Sequence, residues 1–221
     1  MRGRDVRMTR RFKRLTFERL SELEHDCSHC AFWETSDHRT IHCDPQRDEA
    51  LTLESWFKTV RSEWGECGRV AYEDGEILGI VQYAPARYFP RTRFMTAGRP
   101  ADDTVLLTSM YLRDEVRHIG LGKVLLHAAL RDLVGRGERT LEAYGTTEPA
   151  CDVPIVGVNF LIGEGFRVVR PDRDIPLLRM ELEQITAWTD SLESALEALT
   201  IMLPGRSRSR ARSRVPTPIP R

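Results

Sequence analysis

The 221-residue sequence predicts a single α/β (α+β) domain, with strands and helices interleaved along one chain. Three observations carry this. Thr104 to Leu112 is dense in β-branched and apolar residues and free of Gly and Pro, the mark of a buried strand. It runs through Arg117-His118-Ile119-Gly120-Leu121-Gly122 into Lys123–Val134, where Leu126, Leu130 and Leu133 share one helical face, with Leu125 and Ala129 beside them. Val70–Tyr72 and Ile77–Tyr83 flank Glu73-Asp74-Gly75-Glu76, whose Asp-Gly pair signals a hairpin. A chain of this length buries one good core, and no shift in composition divides it.

The remaining elements follow in order. Phe12 to Leu23 starts as a short strand and continues as a helix through Phe17, Leu20 and Leu23. Residues 25–43 are rich in His, Cys, Ser and Thr and have no period. Asp44-Pro45 is a helix start, with Asp as N-cap and Pro at the first helical position. Ala50, Leu53, Phe57, Val60 and Trp64 form the apolar face of that helix, and Gly65 stops it. Ala84–Asp102 is a Pro/Arg/Gly excursion. After Gly135-Arg136-Gly137 come a strand at Thr140–Tyr144, a polar loop and a short helix at Val156–Leu161. Phe166–Val169 and Leu177–Leu182 are the last strands. The expected organisation is a basic extension (1–11), the domain (12–182), an amphipathic helix (183–203) and a disordered Arg/Ser/Pro tail (204–221).

The glycine turn is the chemically informative segment. Glycines let backbone approach a ligand closely, and the opening turn of a helix offers free N–H groups and a partial positive charge. That combination suits a phosphate, and Arg117 and Lys123 add formal charge. The hexapeptide alone reads equally well as a plain strand-to-helix turn. It is neither a dinucleotide fingerprint, since the third glycine is absent, nor a P-loop.

Basic and acidic residues balance at 33 each, but unevenly. The two termini are basic, leaving residues 15–203 with 20 basic and 32 acidic groups, a net of −12. An acidic body favours a cationic or amine partner over specific nucleic-acid binding. No apolar run reaches the ~18 residues of a membrane span, and the basic N-terminus is not followed by the apolar segment of a secretory signal. With five cysteines and no such signal, the expectation is a reduced, cytoplasmic protein.

Leu112 to Gly122 and Asn159-Phe160-Leu161-Ile162-Gly163-Glu164-Gly165-Phe166, together with the order of elements, resemble the GNAT (GCN5-related N-acetyltransferase) family. Arg117, Gly120 and Gly122 match its Arg/Gln-x-x-Gly-x-Gly acyl-CoA loop; Phe160, Gly165 and Phe166 match its later Phe-Tyr-x-x-x-Gly-Phe pattern. The resemblance covers residues 12–182 as topology and 104–166 as motif. It implies a mixed, mostly antiparallel central sheet with flanking helices, and direct transfer of acetyl from acetyl-CoA to an amine. It further implies that the Leu112 N–H faces the thioester carbonyl. The amides of His118, Ile119, Gly120, Leu121, Gly122 and Lys123, with Arg117 at the same turn, would cradle the pyrophosphate. Phe160 would pack near the pantetheine arm, which enters where the strands at Thr104–Leu112 and Thr140–Tyr144 splay. The acceptor stays open, as does the choice between monomer and homodimer.

Two departures qualify the resemblance. His118 replaces a small glycine, and Leu161 stands where the family's general-acid Tyr is frequent, so leucine cannot protonate the leaving thiolate. Tyr144 and Tyr111 are the substitute donors, set against plain core packing, and Asp103 is the candidate base, set against a plain loop carboxylate. For a thiol with a pKa of ~8.5, acid help is useful but not obligatory. The same departure supports an alternative, an acyl-CoA sensor or interaction protein without turnover. Cys27, Cys30 and Cys43 with one nearby His supply enough donors for zinc, but no second C-x2-C accompanies them, and reduced thiols are the expectation.

Overall fold

The computed structural model describes residues 10–23, 25, 28–36, 49–148 and 154–184. The Asp44-Pro45 helix start, Cys27, Cys43, the helix expected up to residue 203 and the tail lie outside the described residues, as do positions 1–9 of the extension.

Eight strands among these residues form the sheet: β1 (Arg10–Arg14), β2 (Gly68–Glu73), β3 (Glu76–Pro85), β4 (Val105–Leu112), β5 (Thr140–Thr146), β6 (Val156–Gly157), β7 (Arg167–Arg170) and β8 (Leu177–Glu181). Their order is β1-β2-β3-β4-β5-β8-β7, with β6 set against β5. Pairing is antiparallel except at β4–β5 and β5–β6, which is the mixed, mostly antiparallel sheet expected. The β2–β3 hairpin turns at Asp74 and Gly75, both at positive φ (52° and 91°), the geometry that matches strand twist.

Alternation along the strands builds two cores. Ile80, Ala84, Leu106 and Tyr144 face one side, which is covered by α1 (Phe17–Ser21), the segment Ser28–Ser36 and α2 (Ala50–Glu63). Val81, Tyr83, Leu107 and Ala143 face the other, covered by α3 (Leu121–Gly135) and α4 (Val158–Gly163). With both faces buried, the central strands read as near-continuous apolar runs. In α2 the buried side chains Leu53, Trp56, Phe57 and Val60 recur at helical spacing. α3 buries Leu125, Leu126, Ala129, Leu130 and Leu133, the stripe read from the sequence.

One polar network fixes α3 to the sheet. Asp132 accepts from the Tyr83 hydroxyl (2.7 Å) and from the guanidinium of Arg69 (2.5 Å), and pairs with Arg136 (2.7 Å). Several boundaries differ from expectation. α2 starts at Ala50, with Glu49 in a non-helical conformation as its cap, rather than at the Asp44-Pro45 start read from the sequence. The segment at Val156 begins as the two-residue strand β6, because Val156 and Gly157 pair with Gly145 and Thr146 before α4 starts. α3 begins at Leu121 rather than Lys123, since Gly120 already occupies the cap.

Candidate active site

β4 and β5 part company halfway along their length. Their parallel pairing covers Val105↔Leu141, Leu106↔Glu142 and Leu107↔Ala143, and ends there. On the other side of β4, the register against β3 jumps from Gln82↔Ser109 to Tyr83↔Leu107, so Thr108 is an extra, bulged residue. Its hydroxyl donates to the Gln82 carbonyl at 3.3 Å. A bulge bends and over-twists its strand; here it swings the end of β4 away from β5. The splay expected from the sequence is therefore present, and Thr108 is its local cause.

The open edge of β4 presents backbone. Leu112 lies opposite Gly79, and the next amide, Arg113, donates to the Leu78 carbonyl at 2.9 Å. Leu112 therefore belongs to a non-hydrogen-bonded pair, and its own N–H and C=O point away from β3, towards the split. The carbonyl accepts from Arg117 Nε (3.2 Å), which also meets Asp114 (3.0 Å). Arg117 thus braces the connection between β4 and α3.

Gly120 caps α3 in the left-handed region (φ 83°), where a side chain would be strained. The first intrahelical bond runs from Val124 N–H to Gly120 O (3.3 Å), so the amides of Leu121, Gly122 and Lys123 have no acceptor within the helix. A Cβ on Gly122 would meet Leu112 Cδ1 at 3.0 Å and the Phe160 ring at 3.7 Å. Leu112, Gly122 and Phe160, far apart in sequence, are brought together. His118 is exposed and Ile119 packs towards the α3 core. Lys123 Nζ lies 3.4 Å from Glu164 Oε1, whose other oxygen meets His127 Nε2 at 3.1 Å. Both cations predicted at the turn are therefore engaged by acids.

A cavity of about 220 Å³ opens at the split. Leu112, Arg117, Gly122 and Phe160 line one part; Phe32, Trp33, Gln82 and Tyr111 line another. Tyr111 therefore joins the site, with the His25 ring 4.4 Å from its own. Cys30 lines the cavity as a free thiol, whereas its proposed companions Cys27 and Cys43 lie outside the described residues.

The other two nominated catalytic groups do not join it. Tyr144 is buried, stacks on Trp33 (5.6 Å, 19°) and donates its hydroxyl to the Gly98 carbonyl at 2.6 Å. Burial, then the Glu142 carboxylate, pushes its phenol pKa up, and its proton is committed to a backbone acceptor. Tyr144→Phe is expected to cost about 1 kcal/mol of stability and to leave turnover unchanged, read from denaturant melts and thiol release. Asp103 is exposed in the turn before β4. It sits roughly 30 Å along the strand from Leu112, at about 3.3 Å per residue. The expectation of a base there is corrected by strand direction: the split opens at the other end of β4. Leu161 is fully buried in the α3 core.

Sequence reasoning missed Glu34 and Gln82. Gln82 Nε2 donates to Glu34 Oε1 at 2.7 Å, and both are buried. Burial drives the Glu34 carboxyl pKa up to about 7, against the opposing effect of the Gln82 hydrogen bond; Glu49 adds to the rise. Two signals were available. Apart from the Tyr83 hydroxyl, Gln82 carries the one polar side-chain group in Ile77–Ala84, and Glu34 follows Ala31-Phe32-Trp33, an apolar run in an otherwise polar segment.

Comparison with known proteins agrees with this geometry. The sequence matches the acetyltransferase (GNAT) family over residues 18–153. No curated relative matches it. Among solved structures, PaiA N-acetyltransferase from Thermoplasma acidophilum, in complex with coenzyme A, superposes with a TM-score of 0.53 at 18% identity. That match covers 79% of this chain and 99% of the other. YncA from Salmonella typhimurium, a putative acetyltransferase with its cofactor acetyl-CoA, gives 0.52 at 17% identity, covering 78% and 94%. An N-acetyltransferase from Staphylococcus aureus Mu50 gives 0.52 at 19%, covering 79% and 99%. At such identities the likeness is one of fold; with the match to the sequence family, which spans more than half of it, the chain belongs to the acetyltransferase (GNAT) family.

Proposed function

We propose that this protein transfers an acetyl group from acetyl-CoA directly to an amine. The observation that carries the reading is the split at Thr108, which turns the Leu112 N–H into a cavity capped by the first turn of α3. In this reading the Leu112 N–H donates to the thioester carbonyl and holds the charge that develops on its oxygen. The amides from His118 to Lys123 bind the pyrophosphate at the helix N-terminus. Arg117 keeps Leu112 and that turn in register, and Phe160 packs against the pantetheine arm. In this reading Tyr111 protonates the departing thiolate, and its position in the cavity lining supports that role.

Acetyl-CoA turnover, read as free thiol release across small amines and peptides, tests the proposal. Release that depends on the added amine is expected. Tight acetyl-CoA binding with no release for any amine would favour the sensor reading instead, for which the apolar Leu161 is the supporting feature.

A further inference from the structure

We propose that Gln82 and Glu34 form the acceptor-amine site: the Gln82 carbonyl receives the amine, and Glu34 takes its proton across one water. This rests on the acetyltransfer reading and assigns the substrate end of the same cavity. A carboxylate accepts and cannot donate, so the Gln82 NH2 must face Glu34 (2.7 Å). The amide is thereby fixed, and its carbonyl oxygen is left for the cavity that Gln82 lines. Among the described residues, the titratable groups facing Glu34 are Glu49 ahead of α2 and Cys67 ahead of β2. Arg91 is held over the Phe32 ring (4.2 Å from its centroid). Among the described residues no cation forms an ion pair with Glu34.

A buried carboxylate that meets no counterion among the described residues favours a ligand that brings one. The Phe32, Trp33 and Tyr111 side chains around the cavity complete the description, since aromatic faces attract cations and apolar bodies alike. The acceptor class is therefore a compact primary ammonium on an apolar or aromatic body. The ammonium gives one proton to Glu34, and the free amine attacks the thioester carbon. The C–N bond forms and the C–S bond breaks; the second amine proton ends on the leaving thiolate. The products are the acetamide and CoA thiol, and Glu34 returns its proton to water.

The sign of the pH dependence follows. Glu34 is charged above about pH 7 and neutral below it, so amine recognition is present above that pH and is lost as pH falls through it. The probe is 2-phenylethylamine against the isosteric 2-phenylethanol, titrated into the CoA-bound protein by calorimetry. At about pH 8 the wild type is expected to bind the ammonium about tenfold tighter than the alcohol, with the preference lost below about pH 6. Glu34→Gln should remove the preference and slow acetylation of 2-phenylethylamine about a hundredfold, with CoA affinity unchanged as evidence of folding. Should E34Q not fold, the wild-type pH dependence of the amine–alcohol difference decides by itself. Equal binding of amine and alcohol, binding of neither, or an E34Q protein that binds CoA and keeps the preference overturns the proposal. If wild type binds CoA and acetylates the amine while E34Q matches it, this assignment fails and acetyl transfer stands. Wild type that binds neither CoA nor amine sinks both.

Discussion

Gly122→Glu is expected to lower acetyl-CoA affinity at least about a hundredfold, measured by calorimetric titration. Two opposing carboxylate and phosphate charges about 4 Å apart repel by roughly 4 kcal/mol at a surface-like dielectric, and salt screening leaves a fraction of that. The glutamate would also cover the first-turn amides proposed to bind the pyrophosphate. Steric disruption can be separated from charge. A Cβ at Gly122 meets only the methyl end of Leu112 at close range (3.0 Å), which a rotamer change relieves. Gly122→Ala should therefore keep most of the affinity. Unchanged binding by G122E would remove the pyrophosphate from this turn. Gly120→Glu is a poorer test, because at φ 83° any side chain adds backbone strain to the charge effect.

Asp132→Ala is expected to destabilise the fold by about 3–5 kcal/mol, or on the order of 10 °C in Tm for a domain of this size. Removing this carboxylate strips partners from the Tyr83 hydroxyl and from the guanidinium groups of Arg69 and Arg136 at once. Tyr83 is fully buried, so its hydroxyl cannot turn to water instead. The residue lies about 15 Å along α3 from Gly122, at 1.5 Å per residue. Below the new melting range, acetyl-CoA affinity should change little. A thermal melt within a degree or two of wild type would show that the network is not what fixes α3 to the sheet.

The two experiments probe features of very different legibility. The glycine turn was readable because Gly120 and Gly122 interrupt a strand-to-helix run at a spacing that few other purposes require. The hairpin at Asp74-Gly75, the α3 stripe and the succession of strands along the chain were readable for the same reason: each is a local pattern of period, punctuation or propensity. Arg69 and Asp132, by contrast, are 63 positions apart, and no local pattern couples them. Asp103 was misplaced because it precedes β4, at the opposite end of the strand from Leu112, the residue the resemblance put at the thioester. Tyr144 carried no local mark of its Gly98 acceptor, 46 residues away.

By itself the sequence determined the strand and helix inventory, the family and the backbone turn suited to a phosphate, all properties written in neighbouring residues. Tertiary structure alone decided where β4 leaves β5, because the bulge at Thr108 exists only relative to the register of β3. It also decided which acid sits buried beside the cavity-lining Gln82. Glu34 is one of 33 acidic residues until folding places it, buried, against Gln82. Burial is a property of what surrounds a residue, and Glu34 is met by Gln82 of β3, by Glu49 just ahead of α2 and by Cys67 just ahead of β2.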